Sequence, residues 1–273
     1  MVTVLLVGIP HGAVDHLIER RNADNLNKRF ITGVFLVKYI SLLLIYAILW
    51  QFPVPAFVIF MLISAYHFGE TDLFDLKLTS AITPFFYLFY GIMVIAFLLL
   101  SHFDETIPFI NMLGFNYDRF KGLLEYVSAN TVSIRVLTVL FFFLFYFLME
   151  YKRKRKPELI RMLEILTHLV LVAILPLLLA FAYYFGVWHS LLSIRNIYSH
   201  LGGDRLIKKK FFGQVLILTV SACVIITIAG YFYLRIYTPE GLAGTIFIGL
   251  AILTLPHMQV MHTMYQQLKN KVA

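Results

Sequence analysis

The sequence predicts an all-α, polytopic integral membrane helical bundle of about nine spans, or eight if the sixth and seventh runs form one kinked helix. Three observations predict it. The 273 residues are 60% hydrophobic and only 14% charged, with a mean hydropathy of +0.81, whereas an ordinary soluble domain carries about 25% charged residues. Apolar runs recur at lengths that cross a hydrocarbon core of about 30 Å as helices, and no alternating ten-residue pattern suggests a barrel. Lys and Arg gather in every second connection, the distribution of cytoplasmic loops.

The elements follow in order. Run 1–18 opens with MVTVLLV and enters Pro10 and His11 without a basic leader or a small-residue cleavage site, so it reads as a first span, not a removable signal peptide. Arg20, Arg21, Lys28 and Arg29 precede span two, 31–50, within which Lys38 is expected to pair with a carboxylate or to snorkel toward the headgroups. Span three, 54–70, is followed by Lys77, and span four covers 81–100. Residues 101–131 hold few cations and become an external loop with a short amphipathic helix in the interface. Span five, 132–149, runs into EYKRKRKPE, an orientation signal. Spans six and seven, 160–175 and 177–199, divide at Pro176, and Arg205, Lys208, Lys209 and Lys210 come next. Spans eight and nine, 211–235 and 241–264, are followed by Lys269 and Lys271. The alternation places the N-terminus outside and the C-terminus in the cytoplasm of a multi-pass protein of the cell inner membrane. With no internal repeat or linker, residues 1–273 read as a single transmembrane domain.

The net charge of +8 does not argue for nucleic acid, because the basic residues fall in the loops on one side, where topology and anionic membrane lipid account for them. Cys223 has no intrachain partner, so disulfides and thiolate metal sites are excluded. Any transition metal must rely on histidine and carboxylate. Polar groups inside spans are costly and mark function by default, and four segments concentrate them: GIPHGAVDH (8–16), AYHFGETD (65–72), YFGVWHSLLSIRN (184–196) and LPHMQVMH (255–262). All four lie on odd-numbered spans running in one direction. Their leading histidines, His11, His67, His189 and His257, fall at depths within roughly 10 Å of one another at about 1.5 Å per residue. Each alone is as readily a packed, satisfied histidine; four in one layer outline a site for iron, copper or zinc. His16 and His262 each follow a partner by five residues, roughly 140° around an ideal helix, and are assigned supporting or interfacial roles. Asp15, Glu70 and Asp72 lie close in sequence to the proposed ligands and are candidates to accept imidazole N–H bonds and supply negative charge around the metal. For Asp72, capping or interfacial solvation is the simpler reading.

PHGAVDH, HFGETD, the WHS segment and the LPH segment resemble, in order and spacing over nearly the whole chain, the Brp/Blh family of bacterial and archaeal membrane β-carotene 15,15′-dioxygenases. The resemblance implies a non-haem Fe(II) held by histidines, which uses molecular oxygen to split the central double bond of β-carotene into two molecules of retinal. It also implies a retinal-binding opsin as a downstream partner. Two departures stand out. Ser193 occupies the place, four residues after His189, where family members commonly carry histidine, and His257 is the expected replacement ligand. The chain also starts close to its first motif, so relatives are expected to carry a longer leading segment. An apolar polyene would arrive from the bilayer through a tunnel with flat apolar walls; among many aromatics, Tyr66 and Trp188, each beside a proposed ligand, are the expected substrate-binding residues.

Other classes fit less well. A metal-ion transporter is the main alternative, but it should show paired broken helices from an inverted repeat, and none is evident. The last three spans hold no deep lysine for an opsin Schiff base, and no two histidines stand three or four residues apart, as in di-iron desaturase boxes.

Overall fold

The computed structural model describes residues 12, 14–22, 28–78, 80–112, 117–154, 157–202, 205–233 and 239–272. Among them there is no strand. Helices α1 (Asp15–Asn22), α2 (Lys28–Leu49) and α3 (Pro53–Asp72) are followed by a 3-10 turn, Phe74–Leu76, and by α4 (Thr83–Ser101). Two short helices come next, α5 (Phe103–Met112) and α6 (Tyr117–Ala129), then α7 (Thr131–Lys152) and α8 (Leu159–Ile174). Helix α9 (Leu177–Phe181), a π-helical segment (Ala182–His189) and α10 (Ser190–His200) form one continuous rod, and α11 (Arg205–Tyr233) and α12 (Pro239–Val272) complete the chain.

Among the described residues, six helical stretches are long and apolar enough to cross a membrane: Thr32–Leu49, Pro53–Asp72, Thr83–Ser101, Thr131–Lys152, Leu177–His200 and Phe247–Asn270. A helix is the economical form here because it satisfies its backbone internally where lipid offers no partner. The other expected spans differ in length or coverage. Run 1–18 lies largely outside the described residues, α8 has 16 residues, and on α11 the apolar stretch reaches only Phe211–Ser221. Pro176 does end a helix. Leu175 and Pro176 are both extended (ψ 146° and 149°), so α8 and α9 are separate helices and not one kinked rod, as the steric clash before proline requires. The connection 101–131 holds two helices where one was expected. Lys38 is exposed on α2 and makes no ion pair among the described residues.

Helices α3 and α4 approach backbone to backbone at two glycines. A Cβ built on Gly69 would lie 2.0 Å from the Tyr87 carbonyl oxygen, and one on Gly91 would lie 1.8 Å from that of Ala65. Small residues permit such contact between membrane helices, where dispersion replaces the hydrophobic drive. The obstructing atoms are backbone, so no side chain can rotate aside. Gly91→Ala should therefore separate the helices at a cost of about 2 kcal/mol, a fall of roughly 4–8 °C in Tm. A Tm within about 1 °C of wild type in the same detergent would refute the close approach.

Two cores flank the centre. Phe68, Phe86, Tyr90, Phe142, Tyr146 and Tyr184 belong to one, built by α3, α4, α7, α8 and the π segment. Val14, Ile18, Ile197, Met261, Met264 and Tyr265 belong to the other, built by α1, α10, α11 and α12. The basic run after α7 does more than orient the chain. Arg153 pairs with Glu150 at 2.7 Å and donates to the carbonyls of Leu76 and Lys77, while Arg161 bridges Asp75 and Glu164. These contacts pin the turn that leaves α3 against α7 and α8.

Candidate metal centre

Three of the four layer histidines meet between the two cores. His67 lies on the last third of α3, His189 ends the π segment, and His257 follows Pro256 within α12. Their exposures are 3%, 0% and 7%. The His67 ring stands 4.9 Å from that of His189 and 5.3 Å from that of His257, edge-on to both. Phe68 packs on His189 from one side, with ring centroids 4.7 Å apart, and Phe185 stacks on it at 6.1 Å. His11 lies outside the described residues. Its neighbour Gly12 lies beside the cluster, where an added Cβ would be 3.8 Å from His257 Nδ1.

Buried carboxylates hold two of these rings. Asp15, 2% exposed, accepts from His257 Nδ1 at 2.8 and 3.0 Å and from the Tyr39 hydroxyl at 3.3 Å. Asp72, also 2% exposed, takes His189 Nδ1 on Oδ1 at 3.2 Å. Its Oδ2 accepts three more donors: the Tyr184 hydroxyl at 2.6 Å, the Tyr90 hydroxyl at 3.1 Å and the Trp188 indole N–H at 3.1 Å. A carboxylate on Nδ1 keeps the proton there and leaves the lone pair on Nε2, the form in which imidazole binds a metal.

Asp72 is thus no cap or interfacial charge. It is buried because α10 and the π segment close over the end of α3, and four donors satisfy its two oxygens. The π segment explains how one rod supplies three of them. Residues five apart diverge on an α-helix, but i→i+5 bonding brings them toward one face, and Tyr184 and His189 reach the same carboxylate.

Glu70, His262, Tyr66 and Lys269 form a neighbouring polar group. Glu70, fully buried, accepts from His262 Nδ1 at 3.0 Å and Lys269 Nζ at 3.4 Å, and the Tyr66 hydroxyl reaches it at 3.4 Å. His262 therefore points to Glu70 on α3 and stands apart from the three-ring cluster. His16 is half-buried. Tyr66 is half-buried, edge-on to Tyr87. The ring centroids of Trp188 and His168 lie 3.7 Å apart with the planes tilted by 40°, and His168 in turn meets the Tyr183 hydroxyl. Tyr39, Tyr90 and His168 carried no signal in the sequence: each is a lone polar tip on an apolar span, and only the fold shows where it points. Tyr184 lies in a polar segment of the sequence, but its partner there is Asp72.

A metal fits the chemistry of this donor set. With a metal–nitrogen distance of about 2.1 Å, two imidazole centroids on one ion stand roughly 4.5–5.3 Å apart for angles between 90° and tetrahedral, the range of the two separations measured from His67. Against that, no group of three or more His, Cys, Asp or Glu side chains among the described residues is arranged to hold an ion. The fourth candidate ligand, His11, lies outside the described residues, and what the described donor set offers a metal is the ring spacing and the carboxylate-held Nδ1 protons.

Three comparisons bear on identity. The family model described as beta-carotene 15,15′-dioxygenase matches residues 2–265. A protein named beta-carotene 15,15′-dioxygenase, from the uncultured marine bacterium 66A03, is 26% identical over 281 residues, covering 100% of this chain and 95% of that protein. No solved structure matches.

Proposed function

This chain belongs to the beta-carotene 15,15′-dioxygenase family, and from that premise we propose that it splits the central double bond of β-carotene within the bilayer, using a histidine-held Fe(II). The observation that carries the proposal is the cluster of three buried imidazoles, two of them fixed by buried aspartates, inside an apolar bundle. One double bond breaks and each new carbonyl takes one atom of dioxygen, so β-carotene and O2 balance as two molecules of retinal. No external reductant enters the sum.

His67, His189 and His257 would hold the metal, with His11 as the fourth ligand on the strength of its motif. When bound, Fe(II) supplies the oxygen activation that side chains alone lack; neutral imidazoles suit it and leave positions open. The chain's own groups do the rest. Asp15 and Asp72 keep the Nδ1 protons of His257 and His189 in place, so both rings present Nε2 and cannot turn. As carboxylates they would offset the charge of a bound dication. Phe68 and Phe185, packed on His189, exclude water from that side. Tyr66 and Trp188 would border the polyene's path, Tyr66 held by Glu70 and Trp188 by Asp72. The membrane reading follows the same line: an inner-membrane bundle with the N-terminus outside and the C-terminus in the cytoplasm.

The test is expression in aerobic cells that make β-carotene. They should lose their orange colour and accumulate retinal. Shorter apocarotenals in place of retinal would defeat cleavage at the central bond, and metal uptake without pigment loss would favour a transporter.

A further inference from the structure

Beyond the histidine cluster, a cavity of about 290 Å³ opens at the end of the bundle where α3 and α10 finish. Thr71 and Asp72 form part of its wall, Leu192 and Leu268 give it apolar sides, and Lys77 and Arg195 line it from opposite segments. Most charges around it are committed. Asp75 is bridged to Arg161, Lys269 to Glu70, and Asp72 holds its four donors. Lys77 and Arg195 are exposed and have no carboxylate within ion-pair distance among the described residues. Two uncommitted cations therefore face one recess with mixed polar and apolar walls.

We propose that this cavity binds the phosphodiester headgroup of an anionic phospholipid. Arginine offers a planar fork for phosphate oxygens and lysine a mobile point charge. Thr71 accepts from the Tyr265 hydroxyl, so its own hydroxyl hydrogen is available to donate. Leu192 and Leu268 suit the glycerol and the first acyl carbons. Basic recesses between membrane helices at headgroup depth are the usual seat of such lipids. The carbonyl ends of α3 and α10 point the same way and disfavour an anion, but that partial charge is shorter-ranged than two full cations and is screened at the surface. Because Thr71 and Asp72 belong to the same wall, the lipid would brace the end of α3 that holds His189.

The test uses the full chain in nanodiscs. Adding phosphatidylglycerol to a phosphatidylcholine bilayer should raise Tm by roughly 5 °C at saturation, and native mass spectrometry should show retained phosphatidylglycerol. The double variant Lys77→Gln/Arg195→Gln should lose most of that rise while matching wild type in phosphatidylcholine alone. Lys152→Gln, which removes a cation outside the cavity, should keep the rise. An undiminished rise in the double variant, or an equal loss in Lys152→Gln, would overturn the site. A rise produced by inorganic phosphate alone would overturn the lipid as its source.

Discussion

Replacing His67 with alanine should abolish both bound iron and retinal formation while membrane insertion persists. His67 is the ring that the other two share: His189 and His257 stand 4.9 and 5.3 Å from it, so its loss removes the contact common to both. Losing an outer partner of a ligand costs about 10–100-fold in metal affinity or activity, and losing a ligand should cost more. His257→Ala should behave in the same way, with iron and activity lost together. His262→Ala should be milder, because that ring lies against Glu70 and not in the cluster. Elemental analysis of purified protein and chromatography of the pigments read the two effects. Full iron occupancy in His257→Ala would remove it from the ligand set and move suspicion to His16. A Tm that falls while iron stays bound would mark His257 as a packing residue only.

Much of this arrangement was legible in the sequence, and the reasons for the rest are physical. Common depth follows from chain length: residues at similar distances along parallel spans reach similar heights, and His67, His189 and His257 meet for that reason. Carboxylates near ligands in sequence were candidates for their N–H bonds, yet which carboxylate meets which ring depends on packing between helices. Asp15 crosses to His257 on α12, and Glu70 pairs with His262, not with its own neighbour His67. Asp72 looked terminal because it ends an apolar run, and α-helical spacing hides its partners. Tyr184 and His189 lie about 140° apart on an ideal α-helix, and only the π segment turns both toward α3. The number of spans was less legible, since short helices such as α8 satisfy a hydropathy window before they satisfy a membrane's thickness.

Asp72→Asn should reduce iron affinity by about 10–100-fold and lower retinal formation to match, with the protein still folded. Asparagine keeps the size of the side chain and one carbonyl oxygen, which can still accept from Tyr184, Tyr90 and Trp188. With that oxygen in the Oδ2 place, its amide N–H2 must face His189 Nδ1, which now carries a hydrogen. Two donors cannot share that contact, so the ring must move its proton to Nε2 or turn, and either change removes the lone pair from the metal side. If the amide flips instead, the three donors on the Oδ2 side lose their acceptor and Tm should fall. Trp188→Phe separates the two roles open to that residue. It keeps an aromatic wall but deletes the indole N–H, so a rise in KM for β-carotene alone would mark a substrate surface, whereas weaker iron binding at unchanged KM would mark a brace acting through Asp72. Measuring iron affinity by chelator competition alongside Tm distinguishes a lost ligand orientation from a lost fold. Wild-type iron affinity in Asp72→Asn would show that His189 keeps its tautomer without the carboxylate.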